Sequence, residues 1–409
     1  MLRSFAAILA TCLALSLDAQ EATRDITGSL TYLTRIALPP DAEVSVAARG
    51  AFDTVLGEVR FDTDGNQVPL PFSLTVPDGL SGHVEALIHV GGAPRWIIRD
   101  ILFDASDGPV DLGELELAPI TPLAFATKYD CNGRRVTLGV LSDRAVLRVD
   151  GRDFAMQEAV SASGTRYAAS DGSDTEFWSK GDTAMLTLEG QDMGQCVKAM
   201  PEPPLYRAGG NEPGWHVRIG ADTVDLTADY GALSLTAPRP DVQVSPGAYF
   251  FDMPQLDARL TVKERLCYDA ATGMPYPHTA TLMLEDHNLK GCGGNPGKLL
   301  TSAEWHIDVI AGQGVIGDTE ITIAFGPDMR ISGYTGCNRF MGGYKLTCEG
   351  LRLGQLGVTM MACPEAQMAQ ERRVLDALDE VRRFDIEASG RLLLVGVAED
   401  GPLMAAHRP

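Results

Sequence analysis

Three breaker clusters interrupt this chain: Pro119-Ile120-Thr121-Pro122, Met200-Pro201-Glu202-Pro203-Pro204 and Gly293-Gly294-Asn295-Pro296-Gly297. Proline removes a backbone donor and glycine ends regular elements, so the clusters divide the chain into four pieces, and the middle one reads as a stiff extended linker. Each piece carries a single tryptophan (Trp96, Trp178, Trp215, Trp305), and no internal repeat is visible. Period-two alternation dominates inside the pieces. Val136 to Val149 reads as strands around a turn at Ser142-Asp143, and Ala184-Met185-Leu186-Thr187-Leu188 as another strand. Asp62-Thr63-Asp64-Gly65-Asn66 and Asp171-Gly172 supply turn chemistry. One long helix is expected, from Glu365 to Arg383 after Pro364, with Val374, Leu378 and Val381 on one face and Arg382 and Arg383 in its last turn. The expected fold is mainly β: four small antiparallel β-barrel or β-sandwich modules in tandem (26–118, 128–198, 205–298, 300–405), with one amphipathic helix in the C-terminal module.

Phe5 to Leu17 is an uncharged apolar run after Arg3, which predicts a secretory signal peptide at 1–19, too short to span a membrane. A lipid anchor at Cys12 would need Leu9-Ala10-Thr11-Cys12, where Thr11 is unfavourable; membrane contact is expected only if that cysteine is lipidated. The expected location is the periplasm, as a soluble exported protein. The formal net charge of −21 argues against nucleic acid as partner. With 45% hydrophobic and 22% charged residues, wholesale disorder is excluded.

Beyond the signal lie Cys131, Cys196, Cys267, Cys292, Cys337, Cys348 and Cys363. In an oxidising compartment these imply disulfides. Proximity suggests Cys131–Cys196, Cys267–Cys292 and one pair among the last three. The histidines are scattered and no Cys-x-x-Cys occurs, so no metal is expected, and no cofactor. No nucleophile elbow, zinc-protease or phosphate-loop motif is present, so no catalytic residues and no enzyme are expected. Gly312-Gln313-Gly314-Val315-Ile316-Gly317 matches a dinucleotide-type spacing, but the strand-like Glu320 to Phe325 follows where a helix is needed, so it reads as a hairpin turn. Glu285-Asp286 reads as a solvated loop.

Between Cys131 and Cys196 lie Ser161-Ala162-Ser163-Gly164-Thr165-Arg166-Tyr167 and Phe177-Trp178-Ser179-Lys180-Gly181. This combination resembles the MliC/PliC family of bacterial periplasmic or membrane-bound inhibitors of c-type lysozyme. The resemblance implies an eight-stranded antiparallel barrel that puts a loop into the lysozyme cleft. Ser163 would enter the active site beside flexible Gly164, Lys180 would approach from the neighbouring strand end, and Tyr167 would support the loop. Each residue also has an ordinary reading, as turn, core aromatic or solvated lysine; together they favour the inhibitor.

Ile26-Thr27-Gly28-Ser29-Leu30-Thr31-Tyr32 and Pro69-Leu70-Pro71-Phe72 resemble the YbaY/YscW family of envelope lipoproteins, whose type III secretion members act as pilotin-like chaperones. The resemblance implies a β-sandwich, and the ordinary reading, a docking or spacer domain, is favoured for its role. Ala208-Gly209-Gly210-Asn211-Glu212-Pro213-Gly214-Trp215 resembles an uncharacterised envelope domain marked by Gly-Asn-Glu-Pro-Gly-Trp; Glu212 and Trp215 read either as a ligand corner or as a turn with its aromatic plug. Gly333-Tyr334-Thr335-Gly336-Cys337-Asn338-Arg339-Phe340-Met341-Gly342-Gly343-Tyr344 with Thr359-Met360-Met361-Ala362-Cys363 resembles the META/HslJ domain. Its recurrent cysteines match Cys337 and Cys363, which implies that pair and leaves Cys348 as the odd thiol. The resulting expectation is a non-enzymatic envelope inhibitor of c-type lysozyme acting through Ser163, Gly164, Tyr167 and Lys180. The alternative is an envelope-stress or assembly scaffold that holds other envelope proteins, with a vestigial inhibitor site.

Overall fold

The alternating segments form strands almost throughout, as their parity requires: in Glu43–Arg49, for example, Val44, Val46 and Ala48 point inward while their neighbours do not. The structure is a computed structural model and describes residues 22–106, 108–141, 144–199, 206–317, 319–347, 350–397 and 401–408. The signal segment with Cys12, the Ser142-Asp143 turn, the Met200 to Pro204 linker and Cys348 lie outside the described residues.

The first segment is a sandwich. Thr23–Thr31 lies between Leu70–Pro77 and Val110–Glu116 in one sheet. The other sheet runs in the order Val55–Asp62, Glu43–Arg49, Gly82–Val90, Ala93–Phe103, Ala118–Pro119. One pairing departs from the antiparallel expectation: Thr23–Thr31 runs parallel to Val110–Glu116. The chain has crossed to the other sheet and back between them, and such a long connection lets a strand return in the same direction. The third segment is a nine-stranded antiparallel sheet between Tyr206 and Gly293.

The sheets follow one another in tandem, but the cores do not. Side chains of the first and third segments form one hydrophobic cluster, while the second segment keeps its own. Phe52, held at φ 61 in the Ala51–Asp53 turn, meets Tyr206, Tyr249 and Phe251 edge-on at centroid distances of 4.9, 5.2 and 4.9 Å. The Tyr249 hydroxyl accepts from the Ala51 N–H (3.0 Å) and donates to Glu264 Oε1 (3.1 Å). Glu264 Oε2 reaches back to accept from the backbone N–H and hydroxyl of Ser81 at 2.7 and 2.6 Å.

His278 stacks on Tyr206 inside this shared region, and burial, with Lys298 nearby, pulls its pKa down to about 4. An unfolded histidine titrates near 6.5, so below that value the unfolded chain binds the extra proton. The third segment is therefore expected to lose stability as pH falls from about 6.5 toward 4, by roughly 3 kcal/mol. Denaturant midpoints of wild type and His278→Phe across that range check this; the variant's slope should be shallower.

The C-terminal segment is a curved antiparallel sheet against the helix Glu365–Asp379, with Val374, Ala377 and Leu378 buried under it. A second, short helix spans Gly297–Thr301. The long helix ends earlier than its sequence pattern predicts. Arg382 instead donates its backbone N–H to Val395, and Arg383–Ile386 pairs with Leu392–Val395 as a strand. Neither arginine is in the last turn, although the Arg382 guanidinium donates to the Asp379 carbonyl (2.8 Å) from beyond the helix end. Gln313–Gly314 pairs back on Glu304–Ile310, the hairpin expected from the strand-like run that follows the motif. Glu285 and Asp286 form an exposed turn. Disulfides join Cys131 to Cys196, Cys267 to Cys292 and Cys337 to Cys363.

Candidate functional site

The second segment closes into a barrel of eight antiparallel strands: Thr127–Cys131, Arg134–Leu141, Arg144–Val149, Arg152–Ala159, Thr165–Ala169, Glu176–Lys180, Thr183–Leu188 and Gln191–Lys198. Each strand pairs with the next, and the last returns to the first, where Cys196 faces Cys131 across the seam. Aliphatic side chains and a few aromatics fill the interior; Tyr129 and Phe177 meet edge-on at 5.0 Å.

Parity on two neighbouring strands sorts the candidate residues. Tyr167 and Phe177 face each other inside the barrel, so Arg166 and Trp178 face each other outside, and Lys180 shares the outer side. Tyr167 is buried among the core side chains, and this burial raises its pKa above the usual phenol value. At 8% exposure it has little surface to offer a partner. Ser163 and Gly164 are exposed on the bend that leads into Thr165–Ala169.

The bend is held closely. Gly164 has φ 71, and a Cβ added there would lie 2.3 Å from the Ser179 carbonyl oxygen and 3.2 Å from Lys180 Cβ. Only glycine fits both the backbone angle and the approach. Gly164 thereby allows the tip to sit against the strand end that carries Lys180. The Ser161 hydroxyl donates to the Gly164 carbonyl (2.9 Å), and the Trp178 indole N–H donates to the Ser163 carbonyl (2.7 Å). The Ser163 hydroxyl has no protein partner among the described residues.

Trp178 is the residue to which the motif alone assigns no role. It is 41% exposed and sits opposite Met185, itself exposed, on the next strand. Its signal is strand parity: with Phe177 inside, Trp178 must point out on the side of Lys180. Arg134, Arg148, Arg152 and Arg166 are committed to ion pairs with Asp150, Asp153, Glu189 and Glu176. Lys180 has no such partner among the described residues, so its ammonium remains available to an incoming carboxylate.

In the third segment, Glu212 lies in an exposed turn while Trp215 is buried, its indole N–H on the Lys290 carbonyl (3.2 Å). The two form a turn with its aromatic plug and do not make a ligand corner.

Residues 129–195 match the family of membrane-bound lysozyme inhibitors of c-type lysozyme. Residues 21–99 match the type III secretion system lipoprotein chaperone family YscW, and residues 298–408 match the META domain. Among solved structures, an alternative pilotin from the type II secretion system of Vibrio cholerae is 29% identical, covering 24% of this chain and 98% of its own, with a TM-score of 0.22. A protein from Burkholderia xenovorans, solved by NMR, is 28% identical over 28% of this chain and 88% of its own, with a TM-score of 0.24. The comparison with curated proteins returned no match. The chain is a multidomain protein in which a YscW domain, an MliC lysozyme-inhibitor domain and a META domain follow one another in that order.

Proposed function

We propose that this is an exported, periplasmic, non-enzymatic inhibitor of c-type lysozyme, whose barrel blocks the enzyme's cleft with the Ser163 loop and Lys180. The observation that carries the reading is the close fit of Gly164 on the Ser179-Lys180 strand end, which brings the exposed Ser163 bend against the strand end that carries Lys180. A lysozyme works with two carboxyl groups, a general acid and a nucleophile. The Lys180 ammonium pairs with the ionised one and the Ser163 hydroxyl hydrogen-bonds the other, so substrate is excluded by occupation. Trp178 adds a half-exposed aromatic surface beside them, the kind of residue that anchors protein interfaces. The protein's overall acidity draws a cationic enzyme in over distances set by salt screening.

The test is a titration of the full chain against c-type lysozyme on cell-wall substrate. Wild type should inhibit, and Ser163→Ala with Lys180→Ala should weaken inhibition by about a hundredfold, because the pair supplies both central polar groups of the interface. A wild-type chain that does not inhibit overturns the function; equal inhibition by both proteins overturns the site. Gly164→Ala, which drives a methyl group into the Ser179 carbonyl, should weaken inhibition while Ser163 and Lys180 are both intact.

A further inference from the structure

The glycine-rich motif of the third segment builds a trough on the outer face of its sheet. Tyr206–Asn211, Gly214–Ile219 and Thr223–Ala228 pair so that Gly209 faces His216, His216 faces Thr227, and Asn211 faces Gly214. The inward alternates Ala208, Trp215 and Val217 are buried, which puts Gly209, Asn211, Gly214 and His216 on the outer side. No side chain rises from Gly209 or Gly214, and a hollow of about 570 Å³ opens above them.

Two walls flank the hollow. On one side stands Tyr230, 74% exposed and held at φ 54 in the Asp229–Gly231 turn. Its ring lies against Gly214, where an added Cβ would be 2.9 Å from Tyr230 Cδ1, and much of the ring stays open to solvent. On the other side, the loop after Cys267 brings in Asp269. One of its carboxylate oxygens accepts from Thr272, and the other accepts from the Asn211 amide at 2.9 Å. That bond orients Asn211, whose amide oxygen accepts no hydrogen bond among the described residues. Among the described residues, the side chains of Arg207, His216, Thr227 and Tyr230 make no hydrogen bond within the protein.

This lining selects a class of ligand. One guanidinium and one already engaged carboxylate do not suit a polyanion or a cation. A rim of amide, imidazole and hydroxyl groups does not suit a lipid chain, which would leave them unpaired. An open tyrosine face beside convergent neutral hydrogen-bonding groups suits a ligand with an apolar face and a hydroxylated edge. We propose that the trough binds a neutral disaccharide, with the C–H face of one sugar ring on Tyr230 and hydroxyls on Asn211, His216 and Thr227. The proposal is independent of lysozyme inhibition, since none of these residues belongs to the barrel.

The experiment is calorimetric titration of the full chain with maltose, cellobiose and N,N′-diacetylchitobiose. At least one should bind with a dissociation constant of about a millimolar or tighter. Tyr230→Ala should weaken it at least tenfold, Tyr230→Trp should retain it, and His216→Ala should weaken it without changing the unfolding temperature. All variants should inhibit lysozyme as wild type does. Failure of all three sugars to bind wild type overturns the proposal, and so does unchanged binding by the folded Tyr230→Ala protein.

Discussion

Phe52→Ala is expected to unfold the first and third segments together at a lower temperature while leaving the eight-stranded barrel intact. The ring of Phe52 is wedged among three aromatic rings of a segment that begins more than a hundred residues later. Truncating a packed phenylalanine removes its burial and leaves a cavity, about 3 kcal/mol for a ring that is partly exposed. Because the two segments share one hydrophobic cluster, the loss falls on both. The hydrogen bonds from the Ala51 N–H to the Tyr249 hydroxyl and from Ser81 to the Glu264 carboxylate cross the same boundary, and Tyr249 links them by donating to Glu264 within the third segment. The barrel has a hydrophobic cluster of its own, and its first and last strands lie side by side, where Val197 faces Asp130 and the Ala199 N–H bonds the Lys128 carbonyl (2.8 Å). Hydrogen exchange read by mass spectrometry checks the prediction. Protection should fall in both 22–106 and 206–293 and hold in 129–195; a loss confined to the first segment would show that the shared cluster is not cooperative.

Cys131→Ser with Cys196→Ser should open the barrel and abolish inhibition at 37 °C. The bridge closes a ring with a sequence separation of 65, which in the loop-entropy model contributes roughly 4 kcal/mol. A domain this small has a total stability of the same order. The seam that the bridge crosses is short, with Cys196, Val197 and Lys198 facing Cys131, Asp130 and Tyr129. Serine preserves the shape but leaves hydroxyls in the core, where both sulfurs now sit buried. Circular dichroism of the variant, alongside the lysis assay, checks this. A variant that melts as wild type does would show that the strand ladder alone holds the seam.

The candidate site is legible in part. Ser163, Gly164 and Lys180 stand out as a motif, and parity alone suffices to turn Tyr167 inward once the strand is recognised. Trp178 is different, because the indole bond to the Ser163 carbonyl joins residues that the sequence separates by a whole hairpin. The role of Gly164 is hidden for a similar reason. A glycine beside a serine suggests freedom, whereas the neighbouring strand end makes it a point of close approach. The last turn of the long helix also escapes local reasoning. Val381 and Phe384 continue an apolar pattern, but a partner strand at Leu392–Val395 claims the backbone beyond Asp379.

From the sequence alone one obtains the mainly β character, the succession of different segments and the first two cysteine pairings suggested by proximity. These are local properties: the two-residue strand repeat, the missing N–H of proline and the short reach between nearby cysteines act wherever they occur. The shared core of the first and third segments, the locked Ser163 bend and the trough beside Tyr230 were decided by tertiary structure. Each depends on which surfaces meet after the strands have formed, and contacts between distant residues leave no periodic trace along the chain.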